Sequence, residues 1–124
     1  MEFREKQAIY QQIAEYVCEQ ILLNKWLPGT KILSIRELAI FMEVTPNTIQ
    51  NTYDYLQKEQ IITNKRGVGY FVDEDGLDRV LAFRKKLFLE NDLPSTYRNM
   101  YLLNITPGEL KEGFEKFIKQ NFKK

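Results

Sequence analysis

Residues 34–72 constrain the fold more tightly than any other part of this chain. They read SIRELAIFMEVTPNTIQNTYDYLQKEQIITNKRGVGYFV. Ser34 is followed three residues later by Glu37, the spacing of a capping box, in which a hydroxyl and a carboxylate satisfy backbone amides reciprocally. Leu38, Ala39 and Met42 give the helix begun there an apolar face over a short run, Ile35 to Met42. Thr45-Pro46 opens a second helix: Thr is a good N-cap, and Pro suits the first helical position because its missing N–H would be unpaired there. In that helix Ile49, Tyr53 and Leu56 lie on one side, and Asn47, Gln50, Asn51 and Asp54 on the other. The joint between the two helices is about three residues, as a helix-turn-helix requires.

Two strand-like runs follow, Ile61-Ile62-Thr63-Asn64 and Tyr70-Phe71-Val72, rich in β-branched and aromatic residues. Gly67 and Gly69 permit the positive φ of a hairpin tip, and the tip is basic at Lys65-Arg66-Gly67. Helix, tight turn, helix and basic hairpin make a winged helix-turn-helix. Such a unit offers one helix to a DNA major groove and one loop to the flanking backbone or minor groove.

The flanking segments read as helical. Ile9, Ile13, Val17 and Ile21 recur every four residues, with Tyr16 and Gln20 beside them, and Trp26-Leu27-Pro28-Gly29 ends that helix. Lys31-Ile32-Leu33 reads as a brief extended segment. Asp73-Glu74-Asp75-Gly76 is an acidic break that looks like a solvated linker. It divides the chain into an expected winged helix-turn-helix over 1–75 and a helical dimerisation region over 76–124. The expected fold class is mainly α with one small β-hairpin. In the tail, Leu77, Val80, Leu81, Leu87 and Phe88 predict a helix to about Asn91, interrupted by Pro94. Tyr97, Met100, Tyr101 and Leu103 predict a short helix. Thr106-Pro107-Gly108-Glu109 is another capping box, and Leu110, Phe114, Phe117, Ile118 and Phe122 form an apolar stripe behind it.

Composition excludes several functions. The 124 residues include no histidine and one cysteine, Cys18. His-based acid–base chemistry, Cys/His zinc sites and internal disulfides are thereby ruled out. Cys18 falls within a helical pattern and reads as a small packing residue. No glycine-rich phosphate loop is present, no cofactor is expected, and the chain does not read as an enzyme. No apolar run approaches the roughly 20 residues of a membrane span. The N-terminal MEFREKQ lacks the apolar core of a signal peptide, so no membrane association and a cytoplasmic location are expected. The formal net charge is +1, and residues 1–72 carry eight basic and eight acidic side chains. Nucleic-acid binding must therefore rest on where charges sit.

The candidate DNA contacts are Ser34 and Arg36 at the start of one helix, Thr45, Asn47, Thr48, Gln50 and Asn51 at the start of the next, and Lys65, Arg66 and Gly67 at the wing tip. Amides and hydroxyls suit base edges and phosphates, and Asn or Gln pairs bidentately with adenine. Arg36 works against the dipole of its own helix, which points to a role beyond folding. The apolar positions Leu77, Leu81, Phe88, Tyr101, Phe114, Phe117 and Ile118 are the expected dimerisation surface, because a tail of about 50 residues has little interior in which to bury them. Two copies would read a palindromic duplex. The alternative is a winged helix used for protein or RNA contact, which the neutral charge of residues 1–72 keeps open.

The chain resembles the GntR family of bacterial transcription regulators. The residues that carry the resemblance are Tyr10, Gln12-Ile13, Leu27-Pro28-Gly29, the run from Ile32 to Ala39, Val44-Thr45-Pro46-Asn47-Thr48-Ile49 and Gly67-Val68-Gly69-Tyr70-Phe71-Val72. The resemblance implies DNA-contacting roles at Ser34, Arg36, Thr45, Asn47, Thr48, Gln50 and around Arg66-Gly67. Leu33 stands where the family usually has Pro, Gln60 where it usually has Gly, and Pro46 and Gln50 where some relatives carry Arg. The short tail is similar in length and helical character to the YtrA-like subfamily, which implies a homodimeric repressor of an operon, often a transport operon. A small-molecule effector pocket between paired tails is open, with no residue assigned to it.

Overall fold

The computed structural model describes residues 8–122. The charged MEFREKQ segment lies outside them. The elements run α1 (Ile9–Leu22), α2 (Ile35–Met42), α3 (Pro46–Lys58), β1 (Ile62–Lys65), β2 (Gly69–Val72), α4 (Gly76–Leu87), a π-helical turn (Phe88–Asp92), α5 (Leu93–Leu103) and α6 (Pro107–Asn121). The chain is mostly helical with one antiparallel hairpin, in which Ile62 faces Val72 and Lys65 faces Gly69. It divides into two compact units, Met1–Arg84 and Lys85–Lys124.

The first unit is built on the apolar faces the sequence displays. Ile13, Val17 and Ile21 of α1 are buried with Leu38, Ala39 and Met42 of α2 and with Ile49, Tyr53 and Leu56 of α3. Ile61, Ile62 and Val72 close this core from the wing side, and Val80 of α4 joins it. Cys18 is a core residue, and burial pushes its thiol up to about 11, which removes it from thiolate chemistry. Two polar residues are also enclosed, Gln12 and Thr52. The Thr52 hydroxyl lies 3.0 Å from the Thr48 carbonyl oxygen and 3.2 Å from that of Tyr10, so it ties α3 to the start of α1.

The segment before α2 is extended, as its sequence suggests. Lys31 bridges Phe71, the Ile32 amide donates to the Tyr70 carbonyl at 2.9 Å, and the Val72 amide donates to the Thr30 carbonyl at 2.9 Å. The wing is thus held on its inner edge by backbone pairing. At its tip the Val68 amide donates to the Lys65 carbonyl at 2.8 Å, and Gly67 has φ +79°. A left-handed third residue is what a type II turn demands.

The acidic segment 73–75 is more ordered than a solvated linker. Asp73 accepts hydrogen bonds from the Thr63 hydroxyl at 2.9 Å and the Asp75 amide at 3.0 Å, and it pairs with Arg79 at 2.9 Å. Those amide and hydroxyl donors, with Arg79, hold its carboxyl below the usual carboxylate range. Arg79 also donates to the Gln60 carbonyl at 2.6 Å, locking the start of α4 to the exit of α3. Gly76 is buried there, and a Cβ on it would lie 2.7 Å from the Ile61 carbonyl oxygen, so no larger residue fits this close approach.

Gln60, the residue at a position where glycine is usual, has φ +60°. An L-residue other than Gly, Asn or Asp pays about 1–2 kcal/mol for that conformation. Gln60→Gly is therefore expected to stabilise the first unit by about 0.5–1 kcal/mol, part of the relief being offset by the greater freedom of glycine in the unfolded chain. Chemical denaturation checks this, and a lower midpoint for Gln60→Gly would contradict it.

The second unit differs in kind. Pro94 does not interrupt the helical path: Leu87, Asp92 and Leu93 all keep right-handed helical φ and ψ. The π-helical turn immediately before it relaxes the hydrogen-bond pattern where the proline ring and its missing N–H would otherwise break the helix. Asn104 ends α5 in a left-handed conformation, and the Thr106–Glu109 capping box starts α6 with both reciprocal bonds formed. None of the described residues of this unit is buried.

Candidate nucleic-acid interface

Two helix starts and one hairpin tip carry the candidate contacts. At the start of α2 the Ser34 hydroxyl accepts from the Glu37 amide at 3.1 Å, and the Glu37 carboxylate accepts from the Ser34 amide at 2.8 Å. These bonds hold the Glu37 carboxyl below its ordinary range, with Lys31 adding to the effect. They leave the amides of Ile35 and Arg36 without an intrahelical partner, at the positive end of the helix dipole. The Ser34 hydroxyl hydrogen also remains free to donate. Arg36 is exposed and pairs with no carboxylate among the described residues. Its charge is available to a phosphate.

The joint to α3 is Glu43-Val44-Thr45, and Glu43 takes the left-handed C-cap conformation that reverses the chain. Thr45 caps α3 by accepting from the Thr48 amide at 3.3 Å, and the two threonine hydroxyls lie 3.0 Å apart. With Ile49, Thr52, Tyr53 and Leu56 buried, the opposite face is left to Asn47, Gln50, Asn51 and Asp54. Asn47 and Asn51 are exposed; Thr48 and Gln50 are half-buried. The Gln50 amide nitrogen donates to an Asp54 carboxylate oxygen at 2.8 Å.

The wing brings its cations to its tip. Lys65, Arg66 and Gly67 are exposed. Lys65 is not loose, because its ammonium sits 4.2 Å from the centroid of the Phe71 ring, within cation–π range.

One residue links all three parts. The Tyr53 hydroxyl donates to the Leu33 carbonyl at 2.6 Å, next to Ser34, and the Tyr53 ring packs edge-on against Tyr70 of the wing with centroids 4.7 Å apart. Burial raises the Tyr53 hydroxyl above the ordinary tyrosine range, so it stays a donor. Its place on the apolar side of α3 is legible in the sequence, but its anchoring bond is not. Asp54 and Phe71 were likewise visible only as a polar-face residue and a strand residue.

The seven apolar positions expected to dimerise fall into different settings. Leu77 is half-buried and packed against the core of the first unit, because α4 begins inside that unit. Leu81, Phe88, Tyr101, Phe114 and Phe117 are exposed, Tyr101 to 84% and Phe114 to 65%. Ile118 is half-buried. Phe117 and Phe122 meet with ring centroids 6.0 Å apart.

The family model for the gntR family of bacterial regulatory proteins matches residues 9–72, which is the whole helix-turn-helix and wing. The chain belongs to the GntR family. It is 35% identical over 116 residues to the HTH-type transcriptional regulator YhcF of Bacillus subtilis, covering 94% of both chains. It is 38% identical over 72 residues to the HTH-type transcriptional repressor YtrA of Bacillus subtilis, covering 58% of this chain and 55% of YtrA. A GntR family transcriptional regulator from Listeria monocytogenes superposes with a TM-score of 0.74 at 32% identity, covering 92% of this chain and 98% of that one. Membership in the GntR family makes this chain a DNA-binding transcription regulator, not an enzyme. Among the described residues no helix is long and apolar enough to cross a membrane.

Proposed function

We propose that this GntR regulator acts in the cytoplasm as a homodimeric repressor, with the winged helix reading a palindromic operator and the helical tail pairing the two copies. The observation that carries the reading is the division of α3 into a buried apolar face and a free polar one at its N-terminal turns. Asn47, Thr48, Gln50 and Asn51 meet base edges in the major groove. Arg36, Ser34 and Thr45 fix the helix on the phosphates, and Lys65-Arg66-Gly67 touches the adjacent backbone or minor groove. The tail supports pairing because its aromatic stripe has no interior of its own, and exposed apolar surface of that extent marks a partner surface. Repression follows the similarity to the repressor YtrA, and a transport operon as the target follows only the resemblance of the short helical tail to the YtrA-like subfamily. An effector between paired tails stays open, with no residue assigned to it.

Arg36→Ala is expected to weaken binding on every duplex alike and to lower the salt slope by about one, since one phosphate contact is lost. Asn47→Ala is expected to change the preferred sequence, by ~1–3 kcal/mol at one base position. Fluorescence anisotropy on matched and mismatched duplexes separates the two. Equal affinity of both variants and the parent protein for all duplexes would remove these residues from the interface.

A further inference from the structure

The bond between Gln50 and Asp54 has a consequence for which base this protein selects. Gln50 lies on the free face of α3, one turn before Asp54, and its amide nitrogen donates one hydrogen to the Asp54 carboxylate at 2.8 Å. A glutamine amide has two hydrogens on nitrogen and an acceptor oxygen. Left alone, it can rotate by half a turn and exchange its donor and acceptor ends. A carboxylate accepts and does not donate, so only the nitrogen can face Asp54. That fixes the amide: the oxygen and the second N–H are left as an ordered acceptor–donor edge. Asp54 is itself exposed, with no basic partner among the described residues. Its charge is therefore not quenched by a neighbouring cation.

We infer that Asp54 is a positioning residue for base selection, orienting Gln50 so that its amide pairs with one adenine in each half-site. Adenine presents an N7 acceptor beside an N6 donor in the major groove, which complements that edge; guanine presents two acceptors and opposes the amide oxygen. The Asp54 carboxylate also disfavours close phosphates, so its contribution is to selectivity and not to overall attraction. The inference rests on α3 entering the major groove as proposed above.

The test uses the full-length protein. A pool of randomised duplexes defines the preferred operator, and binding is then measured on duplexes carrying each of the four bases at each half-site position. The parent protein is expected to prefer adenine at one position by roughly 5- to 150-fold, the range of one good bidentate contact. Gln50→Ala abolishes the preference at that position. Asp54→Ala keeps the helix and loses affinity for the adenine-bearing operator but not for duplexes with other bases at that position, so its adenine preference collapses toward that of Gln50→Ala. Asp54→Asn, whose side-chain oxygen can still accept from Gln50, restores part of it. An Asp54→Ala profile identical to the parent's at every position would overturn the inference. So would a Gln50→Ala profile unchanged while Asn47→Ala alters its own position, which would leave the groove assignment standing and remove Gln50 from base reading. A parent protein that selects no sequence at all would sink the groove assignment itself.

Discussion

Replacing Phe114 and Phe117 together with Asp is expected to leave the winged helix folded and to lower operator affinity by on the order of 10²–10⁴-fold. The magnitude is the avidity lost when two linked reading heads become two independent ones. Both rings are more than half exposed, at 65% and 55%, so the substitution removes no intrachain core. Placing carboxylates on an apolar contact surface opposes pairing by desolvation and by mutual repulsion. Sedimentation gives the oligomeric state and anisotropy the affinity. A variant that remains dimeric, or a monomer that binds the palindrome as tightly as the parent, would refute the role assigned to the tail. Isolated half-site duplexes supply the control, since affinity for them is expected to change little.

The second large effect lies at Tyr53. Tyr53→Ala is expected to cost about 3–5 kcal/mol, the range for truncating a large buried aromatic. Tyr53→Phe is the more informative change. It keeps the ring against Tyr70 and removes only the hydroxyl that donates to Leu33 at 2.6 Å. Leaving that carbonyl without its partner costs about 1–3 kcal/mol. In a domain of this size the melting temperature then falls by several degrees for each kcal/mol. Tyr53→Phe is also expected to weaken DNA binding beyond the stability loss, because the carbonyl it holds precedes the Ser34 cap and the Arg36 turn. Calorimetry with anisotropy well below the melting temperature tests both parts. Unchanged melting in Tyr53→Phe would show that the hydroxyl anchors nothing.

The parts of this fold that are legible in the sequence are those governed by short-range rules. The Ser34–Glu37 and Thr106–Glu109 boxes and the Thr45-Pro46 start each span three or four residues, and all three form as their spacing predicts. The wing is legible because its tip glycine and flanking aromatics are local as well. What is not legible depends on partners distant in sequence or on backbone adjustment. Leu77 carries the same apolar signature as Leu81, and only the course of α4 assigns one to a core and leaves the other exposed. Pro94 reads as a helix stop, because a π-helical turn that accommodates it leaves no mark in side-chain pattern. The acidic run at 73–75 reads as solvated because its donors, Thr63 and Arg79, flank it from two different elements. The candidate interface was legible as a set of residues, whereas the Gln50–Asp54 bond and the Tyr53 anchor required the geometry. Gln60 is the intermediate case: its oddity shows in the sequence, and the positive φ that makes glutamine costly at the helix exit shows only in the structure.

The lack of any buried residue among the described residues of the second unit reaches beyond DNA affinity. A helical segment with no interior gains its persistence from whatever covers it, so, with the tails paired as proposed, protomer abundance governs tail integrity as well as operator occupancy. A scarce regulator spends more time with its aromatic rows uncovered, the state that chaperones and proteases sample most readily. Turnover is therefore expected to be fastest when copies are few. With the proposed pairing and repression, the cell would then hold a population that is either abundant and paired or quickly cleared, giving the target operon a sharper boundary between off and on than binding alone provides.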